Sequence, residues 1–306
     1  MRIFVTGGAG FIGSHIVDAY INLGHEVSVI DNLSTGNKNN LNPKAKFYQA
    51  DIRDDLASLI KDINPEVINH HAAQIDVRVS VSNPAFDAGA NIIGTLNVIE
   101  AGVKNGLKKI IFASTGGAIY GEQDYFPADE IHPTRPLSPY GVAKLACEKY
   151  LYYYKHNFGL DYIALRYANV YGPRQNPFGE AGVIAIFTHK LIKGEQPMIN
   201  GDGLQTRDYV YVGDIVKANI KALGTEFTGE LNIATGVETS VNELFSNISR
   251  VSGKNITASH GPAKKGEQQR SCLSYEKAKG VFGWEPAVSV AGGIKNTVEW
   301  FLKNPK

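Results

Sequence analysis

The stretch Thr6-Gly7-Gly8-Ala9-Gly10-Phe11-Ile12-Gly13 restricts the folds open to this chain more than any other. It lies between an apolar run, Ile3 to Thr6, and a segment of helical pattern, Phe11 to Leu23. Glycines spaced Gly8-x-Gly10-x-x-Gly13 allow a tight turn, close approach of backbone to a pyrophosphate, and close packing of helix on strand. The helix start offers unpaired N–H groups to phosphate oxygens. Asp31 follows about 20 residues on, after a second apolar run, where a carboxylate binds a ribose 2′-hydroxyl and repels a 2′-phosphate. With Asn32-Leu33-Ser34 next and no arginine, the pattern points to NAD rather than NADP. Gly7, Gly8, Gly10, Phe11, Ile12, Gly13, Asp31 and Asn32 are the expected cofactor contacts. Asp51 and Ile52, after a third strand, fall where they reach the adenine, and Asp51 reads equally well as a helix N-cap ahead of Asp54 and Asp55.

Short apolar runs alternate with longer helical patterns. Strands are predicted at Ile3 to Thr6, Glu26 to Ile30, Lys46 to Gln49, Glu66 to Asn69, Lys109 to Ala113 and Asp161 to Arg166. Helices are predicted at Phe11 to Leu23, Pro84 to Asn105 and Tyr140 to Phe158. This alternation means βαβ units, hence an α/β chain built on a Rossmann-type, doubly wound parallel sheet. The 306 residues suffice for a large domain and a smaller partner. Beyond residue 170, Gly172-Pro173, Asn176-Pro177 and Gly201-Asp202-Gly203 punctuate shorter elements. Residues 1–170 are therefore expected to form the NAD-binding domain, with elements near 210–235 returning to it. Residues 171–306 are expected to form a smaller α/β substrate domain.

Several classes are excluded. Lysine and arginine number 31 against 30 aspartate and glutamate, a net charge of +1 with no basic tract, so no nucleic-acid partner is expected. The two cysteines, Cys147 and Cys272, form no Cys-x-x-Cys spacing and fit a reducing compartment. No run of 18 apolar residues occurs and the first residues enter a strand at once, so a cytoplasmic protein with no membrane partner is expected. His70 and His71 point to opposite faces of an extended backbone, so they cannot share an ion; both are read as core, and no metal site is expected. Tyr150, Tyr152, Tyr153 and Tyr154 are read as a packed or subunit-interface face of their helix.

Chemistry concentrates in two other stretches. Ser138-Pro139-Tyr140-Gly141-Val142-Ala143-Lys144 opens a helix with Ser138 as cap, and the spacing of four puts Tyr140 and Lys144 on one face. A tyrosine with reference pKa near 10 must lose about 3 units to act as a base at neutral pH, roughly 4 kcal/mol. An ammonium about 4 Å away at an effective dielectric near 20 supplies roughly that much. Tyr140 is the candidate base and Lys144 its support. Upstream, Ser114-Thr115-Gly116-Gly117 ends a buried strand where open α/β sheets bind ligands. Two residues there bring no side chain.

Together, the glycine-rich turn, Asp31-Asn32-Leu33, Tyr140-x-x-x-Lys144, Leu165-Arg166-Tyr167-Ala168-Asn169-Val170-Tyr171-Gly172-Pro173-Arg174 and Arg207-Asp208-Tyr209-Val210 resemble the extended short-chain dehydrogenase/reductase family. The likeness runs nearly end to end and is strongest to the nucleotide-sugar branch and its UDP-hexose 4-epimerases. The resemblance implies a tightly held NAD, an isomerase interconverting UDP-glucose and UDP-galactose through a 4-keto sugar, and a homodimer. It implies that Tyr140 takes the proton of the sugar 4-hydroxyl and that Lys144 binds the nicotinamide ribose. It places Ala72, Ala73, Gln74, Asn91, Ser114 and Tyr167 along the cofactor. Asn169 and Arg207 would face the diphosphate, and Ala181, Gly182, Val183, Met198 and Asn200 the uridine.

The departures from the family carry information. The 4,6-dehydratases it resembles hold an Asp-Glu pair where this chain has Gly116-Gly117, which implies simple hydride return; decarboxylating relatives lack support for the same reason. Many epimerases place a Ser or Thr hydroxyl at the position of Gly116; Thr115 is taken as its substitute, with Ser114 or a water as alternatives. Lys264 stands for the family's diphosphate arginine and lacks its bidentate fork. Asn200 stands where an aromatic often stacks on uracil. Ser271 falls near a bulky residue associated with excluding N-acetyl groups, so UDP-GlcNAc and UDP-GalNAc are expected to be accepted. The alternatives are a related nucleotide-sugar epimerase or dehydratase, such as a UDP-glucuronate 4-epimerase, and a non-catalytic NAD-binding regulator.

Overall fold

The computed structural model describes residues 1–178, 182–263 and 268–304. Among them the strands are β1 (Arg2–Thr6), β2 (Glu26–Ile30), β3 (Lys46–Tyr48), β4 (Val67–His70), β5 (Lys109–Thr115), β6 (Asp161–Tyr167), β7 (Asn169–Tyr171), β8 (Met198–Asn200), β9 (Thr206–Tyr211), β10 (Gly229–Ile233), β11 (Glu238–Ser240) and β12 (Ser259–Gly261). Seven of them form a parallel sheet in the order β3-β2-β1-β4-β5-β6-β10. β1 shows why the central runs are continuously apolar. Ile3 and Val5 pack on one side with Ile16, Val17 and Tyr20 of the helix Phe11–Asn22, while Phe4 packs on the other with Val98, Cys147 and Leu151. A strand covered on both faces has no polar side to show.

The strand order reverses between β1 and β4, which opens a crevice at the carboxyl ends of the strands. The glycine-rich turn lies on one wall of it and the end of β5 beside the other. β10 joins the central sheet next to β6, and the helix Val212–Gly224 packs on the helix Phe11–Asn22, so the 210–235 region returns to the first layer. A second core gathers Tyr171, Ile184, Phe187, Leu191, Leu244, Ile248, Ile294 and Val298. Its small sheets are β11-β9-β7 and β12-β8.

Three details differ from the sequence reading. The region predicted as one helix from Pro84 to Asn105 is Pro84–Ala88, a wide π-type turn Gly89–Ile93, and Gly94–Lys104. β5 extends to Thr115 because its polar end still pairs with β6, Ser114 opposite Arg166 and Thr115 opposite Tyr167. The four tyrosines do not share a face: Tyr154 is buried against Glu100, while Tyr150, Tyr152 and Tyr153 are 41, 64 and 48% exposed. Tyr150, Tyr153 and Tyr154 follow a spacing of three and four, with the rings of Tyr153 and Tyr154 meeting edge-on at 5.3 Å, whereas Tyr152 turns to another side. His70 and His71 are half-buried or deeper, on opposite sides: His70 bridges Thr6 Oγ1 (2.7 Å) and Thr95 Oγ1 (2.9 Å), and His71 stacks on Tyr167. No described helix is long and apolar enough to cross a membrane.

One buried ion pair fastens the helix Pro139–Phe158 to the sheet. Glu148 accepts from Arg166 Nε (3.0 Å) and Nη2 (2.7 Å) and from Ser114 Oγ (2.6 Å). Arg166 Nη1 also donates to Tyr120 Oη, which donates to Asn232 Oδ1. Both charges are almost fully buried, so removing one strands the other in low dielectric. Glu148→Ala is expected to lower stability by about 3–5 kcal/mol in urea unfolding, and Glu148→Ala with Arg166→Met to recover a large part of it.

Candidate active site

The turn after β1 is shaped by contacts that only glycine permits. Gly7 has φ +70°, and a Cβ there would lie 2.7 Å from Ala72 N. A Cβ on Gly8 would come 2.6 Å from Val29 Cγ1, and one on Gly13 would overlap the Gly7 carbonyl oxygen. The helix Phe11–Asn22 then begins at Gly10, which has no side chain to cap it. Its first-turn N–H groups, those of Phe11, Ile12 and Gly13, lack helix acceptors, as at every helix start.

Asp31 ends β2 and is 8% exposed. Its Oδ2 accepts from Ala9 N (3.0 Å) and its Oδ1 from Leu33 N (2.8 Å), tying the glycine turn to the loop after β2. Burial raises its pKa, and the two backbone N–H groups draw it back. Each oxygen keeps a lone pair for a hydroxyl donor. Asp51 is bound to Arg53 Nη2 (2.8 Å) and Asn32 Nδ2 (2.8 Å), and the guanidinium holds its carboxyl well below the usual range. It is not a helix N-cap, since the next helix, Ala57–Ile63, has Leu56 at its N-cap position. Ile52 packs its side chain into the core with Leu56 and Ile60, leaving only its backbone for a ligand.

On the far side of the crevice Ser138 Oγ accepts from Gly141 N (3.2 Å), starting the helix Pro139–Phe158. A Cβ on Gly141 would lie 2.6 Å from Ala118 O, so this helix start presses on the turn after β5. Lys144, one turn in, is 3% exposed. Its Nζ donates to Ala113 O (2.9 Å), lies 4.7 Å from the centre of the Phe112 ring and 6.0 Å from that of Tyr140. Burial pulls its pKa down to about 8, against the nearby Cys147, Asp87 and Glu148. At pH 7 most of it remains an ammonium beside Tyr140.

The two glycines after β5 play different parts. A Cβ on Gly116 would overlap Cδ1 of the fully buried Leu273, so packing alone accounts for it. A Cβ on Gly117 would meet only Asn169 Oδ1 (3.6 Å) and Thr115 Oγ1 (4.0 Å), so Gly117 leaves open the space between those two side chains. Ser114 departs from expectation as a catalytic hydroxyl: its Oγ is turned away and held by Glu148. Tyr167 is likewise a core residue, 5% exposed, with its hydroxyl accepting from Asn219 Nδ2 (2.8 Å) and hydrogen-bonded to His71 Nε2 (3.1 Å).

Gln74 and Asn91 hold one another. Gln74 N donates to Asn91 Oδ1 (2.8 Å), Asn91 Nδ2 donates to Gln74 O (2.9 Å), and both amides donate to Asp87 Oδ1 (2.8 and 3.0 Å). Ala72 N donates to Thr6 Oγ1 (3.1 Å), and Ala73 follows in the same half-buried loop. On the substrate side, exposed Asn169 starts β7 and half-buried Arg207 lies on β9. Met198 and Asn200 are on β8, Gly182 caps the helix Val183–Lys193 that Val183 begins, and Ser271 is 3% exposed. Ala181 and Lys264 lie outside the described residues. Sequence reasoning passed over Glu148, which continues the spacing of four from Tyr140 and Lys144, and Asp87, four residues before Asn91.

These features define a dinucleotide-dependent enzyme of the short-chain type. Residues 3–234 match the NAD dependent epimerase/dehydratase family, and the chain belongs to it. It is 45% identical over 308 residues to the UDP-glucose 4-epimerase of Mycolicibacterium smegmatis, covering 98% of each chain. The UDP-glucose 4-epimerase of Thermotoga maritima, solved with UDP-glucose, superposes with a TM-score of 0.98 at 49% identity over all of both chains. That of Thermus thermophilus, solved with NAD, superposes with a TM-score of 0.94 at 43% identity, over 98% of this chain and 99% of that one.

Lys144 makes a stability prediction. Its pKa is about 8 folded against 10.5 unfolded, so the native state loses its proton first and stability rises with pH across that window. The stability is fully present above 10.5 and lost as pH falls through about 8. The shift corresponds to about 3 kcal/mol, offset by about 1 for the bond to Ala113. Lys144→Met is therefore expected to be about 2 kcal/mol more stable than the parent at pH 7, with the gap closing by pH 10, in paired urea titrations.

Proposed function

We propose that this protein is a UDP-hexose 4-epimerase that interconverts UDP-glucose and UDP-galactose and also accepts their N-acetylated counterparts. The observation that carries the reading is a buried lysine ammonium beside Tyr140 at the mouth of a glycine-built dinucleotide crevice, with no acid at Gly116 or Gly117.

The crevice fits NAD. A turn in which Cβ atoms on Gly7 and Gly13 would strike backbone, a helix start free of side chains, and a carboxylate at the end of β2 suit a dinucleotide with an unphosphorylated ribose. Gly7 to Gly13 would hold its pyrophosphate, Asp31 with Asn32 its adenosine ribose, and Lys144 its nicotinamide ribose. Bound there, NAD supplies a hydride acceptor and donor for the sugar C4.

The chain's own residues then handle the proton and the pose. Tyr140 takes the proton of the 4-hydroxyl and returns it, and the Lys144 ammonium favours the phenolate that forms. Thr115, whose side chain borders the open space at Gly117, steadies the 4-oxygen by hydrogen bond. Asn169 and Arg207 grip the diphosphate, Met198 and Asn200 border the uridine, and buried Ser271 leaves room for an acetamido group. With glycine at both 116 and 117 no carboxyl is present there to drive elimination, so the ketone is returned to an alcohol. Residues 1–170 with the 210–235 elements act as the cofactor domain, and the remainder as the substrate domain. We further propose a cytoplasmic homodimer joined through the exposed Tyr150 and Tyr153 with the exposed Phe86 and Ile93 of the segment packed beside that helix.

Purified protein incubated with UDP-galactose, without added cofactor, is expected to give UDP-glucose by NMR. UDP-GalNAc is expected to give UDP-GlcNAc, and UDP-glucuronate no product. Stable 4-keto product would contradict the reading. Tyr140→Phe is expected to lower kcat by about 100-fold or more. Thr115→Val is expected to lower it about ten- to hundredfold, as for a lost hydrogen bond to a charged group; an unchanged kcat would remove Thr115 from the site.

A further inference from the structure

Asp87 is an aspartate 1% exposed, two residues before the wide turn Gly89–Ile93. Its Oδ1 accepts from Gln74 Nε2 (2.8 Å) and Asn91 Nδ2 (3.0 Å), while its Oδ2 is buried without a hydrogen-bond partner. No ion pair reaches it among the described residues. A buried carboxylate oxygen with nothing to accept from is costly unless a positive charge nearby compensates it. The helix Pro84–Ala88 packs on the helix Pro139–Phe158, and Asp87 lies within electrostatic reach of Lys144. π-type turns recur at functional sites, and Asn91 within this one is buried, as is Asp87 just before it.

The other groups facing Lys144 do not compensate it. Glu148, four residues on, is neutralised by its two bonds to Arg166. His70 and His71 of the β4 end feel Lys144 and are held neutral by burial. From β5 come the Ala113 carbonyl and the Phe112 ring, and from its own helix Cys147, whose thiol burial pushes up, and Tyr140. Asp87 is the remaining anion.

We propose that Asp87 is a positioning residue of this site, its unpartnered carboxylate oxygen being the counter-charge that holds Lys144 as an ammonium beside Tyr140. The role rests on the epimerase reading for its consequence in turnover, and for its placement on the packing of the two helices, the buried unpartnered oxygen, and the link from Cys147 Sγ to Asn91 O and from the Asn91 amide to Asp87. Through Gln74 and Asn91 the same carboxylate fastens the loop at residues 72–76, so cofactor wall and catalytic charge share one anchor.

Asp87→Asn tests this with little disturbance, because its amide oxygen still accepts from Gln74 and Asn91. Two readouts apply. In the pH profile of kcat, the alkaline limb reports loss of the Lys144 proton; removing a neighbouring anion lowers that pKa, so the limb is expected to move down by about one unit. In urea unfolding at pH 7, Asp87→Asn is expected to destabilise the parent yet be neutral or stabilising in the Lys144→Met background. A limb that stays in place, or an equal stability loss in both backgrounds, would overturn the proposal. If the parent shows no epimerase turnover, the functional reading fails and the unfolding cycle alone still decides the pair.

Discussion

Burial of the Lys144 ammonium is the constraint around which the catalytic half is arranged. A charge taken out of water is tolerated only when hydrogen bonds, ring faces and counter-charges replace the solvent. Here the Ala113 carbonyl and the Phe112 ring, both from β5, and the buried Asp87 from the helix Pro84–Ala88 do so. The helix carrying Lys144 must therefore dock in one register. Ser138 fixes its start, the absence of a Cβ on Gly141 lets it press on Ala118, and the Glu148–Arg166 pair bolts its middle to β6. The same docking brings the Tyr140 ring to 6.0 Å from the Lys144 ammonium, so the buried charge and the phenol are held by one helix register.

The cofactor half follows a second constraint, close approach of backbone to backbone. Gly7 lies against Ala72 and Gly13 against Gly7, which brings the ends of β1 and β4 to the point where the strand order reverses. Asp31 uses both oxygens to bind the two loops flanking that point. A residue assigned to the ribose is thus also a structural clamp, which is why its carboxyl is buried rather than solvated.

The sheet was largely legible because buried parallel strands are continuous apolar runs, and β1 to β6 were bounded within one or two residues. The glycine turn, Asp31 and the pair Tyr140/Lys144 were legible because spacing alone sets their geometry. The rest depended on partners distant in sequence. Nothing local shows that Ser114 is turned to Glu148, that Tyr167 points into the core toward Asn219, or that Leu273 fills the volume beside Gly116. The wide turn at Gly89–Ile93 was hidden because a π-type insertion leaves helix composition unchanged. Asp87 gave no signal of its own, because its burial comes from packing against another helix.

The central claim is that the proton moves through Tyr140 while the hydrogen on sugar C4 never reaches solvent. The most direct measurement is NMR of the equilibrium mixture formed from UDP-galactose deuterated at C4. The account predicts full retention of deuterium at C4 in both epimers. Protium at C4, with label in the water, would contradict it.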